Sequence, residues 1–280
     1  MYEEILLEID DPVATITLNR PDQLNALTDR TMQELRHAVA TAERTDKVVG
    51  IVLTGAGRGF CAGVDMGSLQ DIQAAGTSAG MRQQTEIEKL DPGDQAMGPD
   101  FRHGFGYLMT VRKPVIAAVN GPCAGLGFSL SMFCDMRFMS ESAMFTTAFA
   151  PRGLVAEHGM SWVLPRLIGP AQAFDLFFSA RRIEPAEALS LGLVSRIVPP
   201  EGLLDEAQGY VRDLAKTASP SSLMYMKRQV YKHLMAPLGE AFVETNGLQE
   251  ETVALPDFKE GIASFMERRP PEFPRVSFDD

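Results

Sequence analysis

Two short runs at the start of the chain, Glu3–Ile9 (EEILLEI) and Val13–Asn19 (VATITLN), are rich in aliphatic and β-branched residues. Asp10-Asp11-Pro12 separates them, and the pattern predicts a hairpin. The period then lengthens. Beyond Thr28, a good N-cap, Met32, Leu35, Val39 and Ala42 recur at helical spacing, which predicts an amphipathic helix. Val48–Thr54 is apolar almost throughout, as in a strand buried on both faces. The opening unit is therefore β-β-α-β.

A second unit of the same kind begins at Pro114–Val119, turns at Asn120-Gly121-Pro122, and continues through the small-residue segment Cys123–Cys134, which is predicted to become helical. Short strands are expected near Met136–Ser140 and Ala143–Thr146. From Ser161 onward the periodicity is mostly helical, over 201–217, 221–234, 238–251 and 257–268, with one short strand at Leu193–Val198. Between the two units, 67–104 is polar and dotted with glycine, and predicts a mobile loop or loosely held helices of the kind that serve a site. No linker or low-complexity stretch interrupts the chain. The expectation is an α/β core over 1–200 followed by a helical C-terminal region over 201–280.

Composition narrows the possible partners. In 280 residues, 26 Lys and Arg face 37 Asp and Glu, a net charge of −11. That sign repels phosphate backbones and anionic membranes, so no nucleic-acid or membrane partner is expected. A hydrophobic share of 45% with 22% charged residues is that of a globular protein. Cys61, Cys123 and Cys134 form no CxxC pair and no disulfide framework, which fits a reducing compartment. The longest apolar stretch, Pro114–Met139, is broken by Asn120-Gly121-Pro122 and Asp135, and the first residues are acidic rather than leader-like. The expected location is the cytoplasm.

The chemistry is carried by glycine-containing turns. Thr54-Gly55-Ala56-Gly57-Arg58-Gly59-Phe60 follows a strand, as in a dinucleotide fold, but no Tyr is followed four residues later by Lys and no glycine cluster ends in Gly-Lys-Ser/Thr. A plain turn accounts for it better. Two further turns, Phe60–Met66 (FCAGVDM) and Asn120–Gly127 (NGPCAGLG), each follow an apolar strand and plausibly open a helix. Their small side chains leave backbone N–H groups free to converge on one cleft, and two such donors make an oxyanion hole that stabilises an enolate. Close helix–sheet packing is an equally good reason for these glycines.

With these turns in view, the chain resembles the enoyl-CoA hydratase/isomerase (crotonase) superfamily over nearly its whole length. The residues that carry the resemblance are Leu18-Asn19-Arg20-Pro21 with Leu24-Asn25-Ala26-Leu27, Phe60–Met66, Lys113–Gly121, Ala186 with Leu193-Val194, and Gly261–Arg269. It implies a spiral of β-β-α units with C-terminal helices that build a homotrimer or hexamer. It implies an acyl-CoA thioester as substrate, no separate cofactor and no metal, and a thioester oxygen held by the N–H groups of Val64 and Leu126. It also places Ala62, Met66 and Gly67 along the CoA, with Phe265 and Arg268 near its far end, where Arg268 equally well complements a helix C-terminus.

The resemblance also exposes a departure. The two glutamates used for hydration fall at Ser129 and Phe149, and neither is an acid. A serine holds a water but is no substitute for a carboxylate base. The nearest acid is Glu157 in Gly153-Leu154-Val155-Ala156-Glu157-His158-Gly159, which resembles the segment of the isomerase branch where one acid moves a proton between two carbons. The expectation is Δ3,Δ2-enoyl-CoA isomerase-like proton transfer by Glu157. Alternatives are hydration, with Glu157 placing the water and Ser129 assisting, or a catalytically silent acyl-CoA binding subunit. Structurally, Glu157 instead caps the helix near Ser161 or pairs with Arg152 or Arg166.

Overall fold

A computed structural model of the chain describes residues 2–77, 87 and 89–278. Strands β1 (Ile5–Asp10) and β2 (Val13–Leu18) form the expected antiparallel hairpin, in register from Ile5 opposite Leu18 to Asp10 opposite Val13. Helix α1 (Asp29–Arg44) starts at Thr28, whose hydroxyl accepts from the Thr31 N–H while the Thr31 side chain reaches back to the Thr28 N–H. This reciprocal capping fixes the helix start. Leu35, Ala38, Val39 and Ala42 face the core.

β3 (Gly50–Gly55), β4 (Val115–Val119), β6 (Met136–Ser140) and β8 (Arg196–Val198) complete a six-stranded sheet of order β1-β2-β3-β4-β6-β8, parallel from β2 onward. β3 and β4 are buried throughout apart from Gly55, as their unbroken apolar sequence requires. A second sheet pairs β5 (Pro122–Ala124) with β7 (Met144–Thr146) in parallel. Single bridges extend the same line, Cys61 to Cys123 and Leu27 to Val64. Each β-β-α turn thus lays one strand in the large sheet and one contact in the small one.

The remaining helices are α2 (Met66–Ala75), α3 (Tyr107–Thr110), α4 (Leu126–Met132), α5 (Met160–Ile168), α6 (Pro170–Ser179), α7 (Pro185–Ser190), α8 (Leu203–Thr217), α9 (Pro220–His233), α10 (Leu238–Val253) and α11 (Pro256–Glu267). The expected boundary at residue 200 is not a boundary of packing. Leu203, Ala207 and Val211 of α8 share a core with Val13, Val52, Ile116 and Phe138, so α8 covers one face of the sheet and belongs to the core.

The 67–104 segment is partly ordered into structure that periodicity did not reveal. α2 occupies its start, and two single turns at 95–97 and 99–102 bury Met97 and Phe101. The fully buried Glu43 carboxylate ties this segment down, accepting from Gly93 N–H at 2.6 Å and from the backbone and side chain of Arg112 at 2.8 and 2.9 Å. The expectation of mobility at residues 78–86 and 88 lies outside the described residues.

Candidate active site

The Gly55–Gly59 turn is shaped by two asparagines. Buried Asn25, itself in the left-handed region at φ 57°, donates through Nδ2 to the carbonyls of Ala56 (2.9 Å) and Gly59 (2.8 Å) and accepts from Arg20 N–H. From the other side, Asn120 accepts from Gly55 N–H and donates to the carbonyls of Gly55 and Gly57. The turn therefore presents carbonyls to asparagine amides. No helix opens directly behind it, which removes the dinucleotide reading. Asn25 and Asn120 were legible only as parts of longer patterns; their role as pins of this turn emerges from the fold.

The two glycine turns beyond are locked to each other. Cys61 N–H and Phe60 N–H both donate to the Pro122 carbonyl at 3.1 Å, and Ala124 N–H returns a bond to the Cys61 carbonyl at 2.9 Å. A Cβ on Gly127 would lie 2.3 Å from the Cys61 carbonyl oxygen, and one on Gly121 would lie 2.1 Å from that of Arg58. Packing alone demands glycine at both positions. Gly63 and Gly125 serve a different need, with φ of 113° and 52°. A Cβ on Gly63 would stand 3.7 Å from the Leu126 nitrogen, so the two turns meet at the start of α4. Both reasons for glycine hold, at different residues.

That junction opens on a cavity of about 400 Å³ whose walls include Ala62, Val64, Met66, Leu126, Phe149 and Glu157. The N–H of Val64 and that of Leu126, in the first turn of α4, find no acceptor among the backbone bonds of turns and caps. Two such N–H groups at one cavity have the chemistry to donate hydrogen bonds to negative charge on a bound oxygen. Asp65 also lines the cavity but is committed elsewhere. It lies 3.0 Å from the Arg20 guanidinium and accepts from Gly67 N–H as the cap of α2. Partial burial raises its pKa, but the Arg20 and Gly67 bonds outweigh that and hold the carboxyl below its ordinary value.

Glu157 is half-buried at the cavity wall, and no ion pair or side-chain hydrogen bond engages its carboxylate among the described residues. The structural alternatives for it are not realised. α5 starts at Met160 behind Gly159 with no side-chain cap. Arg152 donates to the Ala148 carbonyl, and Arg166 donates to the Trp162 carbonyl while its guanidinium lies 3.9 Å from the Trp162 ring centre. His158 follows at φ 54°, a conformation that costs a non-glycine residue energy. Packing lowers the pKa of its imidazole, and the adjacent Glu157 charge opposes that shift.

Several expected contacts are absent from this cavity. Ser129 is fully buried, its hydroxyl donates back to the Gly125 carbonyl at 3.2 Å, and it is not part of the cavity lining. The aromatic ring of Phe149, at the other glutamate position, does line it. Gly67 lies outside the lining and its N–H is already used by Asp65. Phe265 and Arg268 stand apart on α11 and its cap; Phe265 is 80% exposed. Conversely, Arg152 and His158 line the cavity, and only their position beside Glu157 hinted at it. Among the described residues no cluster of three His, Cys, Asp or Glu side chains is placed to hold a metal, and no helix is long and apolar enough to cross a membrane.

Comparison with known proteins agrees with this architecture. Residues 8–275 match the family model described as enoyl-CoA hydratase/isomerase. A probable enoyl-CoA hydratase of Mycobacterium bovis is 34% identical over 97% of this chain and 98% of its own length. The 1,2-epoxyphenylacetyl-CoA isomerase of Escherichia coli is 32% identical over 98% and 99%. Among solved structures, a putative enoyl-CoA hydratase/isomerase family protein from Hyphomonas neptunium superimposes with a TM-score of 0.84 at 30% identity, covering 98% of each chain. Fold, sequence and cavity agree: this chain is an enzyme of the enoyl-CoA hydratase/isomerase family.

Proposed function

We propose that the enzyme shifts the double bond of an enoyl-CoA by moving one proton, with Glu157 as the sole acid and base. The observation that carries this reading is the lining of the cavity: one uncommitted carboxylate faces two free backbone N–H groups, while both positions that hydration needs lack an acid. With the thioester oxygen on the Val64 and Leu126 N–H groups, Glu157 removes a proton from C2 and the C2–H electrons pass into the C1–C2 bond and onto the oxygen. The resulting dienolate collapses as the Glu157 carboxylic acid delivers the proton to C4, leaving the double bond between C2 and C3. Charge and atoms balance with no cofactor beyond the CoA of the substrate.

Burial lowers the pKa of His158, which favours the neutral imidazole beside Glu157. Arg152 is a cation in the cavity lining, and it offsets part of the net negative charge met by a polyanionic CoA. Phe265 and Arg268 belong to an assembled form in this reading. Leu238, Phe242, Phe265 and Met266 are all more than half exposed on α10 and α11, an apolar surface that a homotrimer would cover.

Supplying 3-enoyl-CoA and 2-enoyl-CoA separately and following the absorbance of the conjugated thioester tests the reading. Isomerisation predicts a rise with the first substrate and no sustained fall with the second. Loss of the conjugated signal from 2-enoyl-CoA, with a 3-hydroxyacyl product, favours the hydratase reading that most of the relatives' names carry.

A further inference from the structure

The reaction cavity does not end at Glu157. A second cavity of about 560 Å³ shares one lining residue with it, His158. The left-handed turn at His158 and Gly159 makes this junction. It sets the imidazole between the two spaces and brings the Phe133 ring so close to Gly159 that a Cβ there would lie 3.1 Å from its Cζ.

The walls of the second cavity differ from those of the first. The first combines the backbone of the two glycine turns with aliphatic and charged side chains and a single aromatic ring, Phe149. The second is faced by Phe101, Phe133 and Trp162, with Met109 beside them and with Asp100 and His103 on the 99–104 turn completing its wall. Phe101, Phe133 and Met109 are all less than a tenth exposed, so their positions are set by the core. Phe133 also packs against Phe105 with ring centres 6.4 Å apart. Trp162 is steadied from outside the cavity by Arg166, stacked on its ring. Three aromatic rings thus supply much of the chamber's apolar wall, and its volume is within the size range of small-molecule pockets.

Fixed rings reward a planar group. An aromatic ring offers face and edge contacts to such walls and has few rotors to immobilise, whereas a straight methylene chain of similar apolar area loses several. From this we infer that the second chamber receives the distal end of the acyl group and that its preferred occupant is an aromatic ring, carried on a short arm that reaches past His158. The substrate class is an aryl-substituted short-chain acyl-CoA. This rests on the reading above that the thioester sits at Val64 and Leu126.

Trp162 is the only tryptophan in the chain, so its emission reports directly on the chamber. The probes are 3-phenylpropanoyl-CoA, octanoyl-CoA and free CoA, each titrated into the full-length enzyme with binding measured in parallel by calorimetry. The expected result is a saturable change in Trp162 emission with 3-phenylpropanoyl-CoA, at a Kd at least tenfold below that of octanoyl-CoA, and little change with free CoA. Met109→Ala removes a wall without removing the fluorophore and should weaken the aryl thioester severalfold while leaving free CoA within twofold. Glu157→Gln should leave the aryl preference intact. If both thioesters bind by calorimetry but octanoyl-CoA binds as tightly, or Trp162 emission is unmoved, the aromatic chamber is wrong while the oxyanion site stands. If neither thioester binds more tightly than free CoA, the placement of the thioester itself fails and the chamber proposal falls with it.

Discussion

The two sides of the reaction cavity are built in opposite ways. On one side, the turns 60–66 and 120–127 are held by a reciprocal backbone ladder, by two asparagines, and by glycines at which a Cβ would meet backbone at 2.1–2.3 Å. On the other, Glu157 sits in the 147–159 segment, where Arg152 to Val155 are exposed and no side chain ties the carboxylate. The first side supplies donors whose value depends on being preorganised, since they contribute most when they need not move as charge develops. In the proposed reaction the second supplies the acid, on a segment with fewer ties to the core. In this chain the positions Ser129 and Phe149 carry no acid, and the carboxylate that lines the cavity on the second side is Glu157.

The sharpest way to break the comparison is to crowd the rigid side. Gly127→Val drives a side chain into the Cys61 carbonyl and should cost ~3 kcal/mol or more, seen as a large fall in the denaturation midpoint or loss of soluble protein. Asn25→Ala strands buried backbone partners and should cost about 1–3 kcal/mol by denaturant titration. Gly63→Ala places a Cβ at φ 113° and 3.2 Å from the Ala124 carbonyl. It should shift Val64 enough to lower kcat on the order of 10²-fold, more than its effect on the midpoint would suggest.

On the acid side, Val155→Ser alters a residue that is 77% exposed and should change stability by less than about 0.5 kcal/mol. If it matched the glycine variants, the contrast between the two sides would be lost. The pH dependence of the Arg20–Asp65 pair sharpens the same contrast more gently. The folded pKa of Asp65 lies below its ordinary value, so the pair's stabilisation is complete above the unfolded carboxylate pKa and disappears as pH falls through the folded one. Asp65→Asn should therefore flatten the acid limb of the stability profile and leave neutral-pH activity nearly unchanged.

The same contrast governs what could be read from sequence. The hairpin, α1, β3 and β4 declare themselves because each satisfies one period over six or more residues or an unbroken apolar run. β7 was expected near Ala143–Thr146, but the three-residue strand β5, inside the turn segment at Pro122–Ala124, has no period to detect and exists only through pairing with that distant segment. The expectation at Val64 and Leu126 needed small residues and family resemblance together, because a backbone N–H leaves no side-chain trace. Ser129 was misplaced because its position in a familiar pattern says nothing about where its hydroxyl points, and an intrahelical acceptor was available. The second chamber was hidden for another reason: Phe101, Phe133 and Trp162 come from three separate elements, each with an ordinary core explanation.

The central claim is that one carboxylate, Glu157, carries the proton across an oxyanion hole that binds substrate without it. Its most direct test compares wild type with Glu157→Gln on 3-enoyl-CoA, measuring the rate of conjugated product and the affinity for a saturated acyl-CoA in the same preparations. The account predicts a rate lower by about 10²–10⁴-fold with the Kd within about threefold of wild type. A variant that isomerises at the wild-type rate would contradict it.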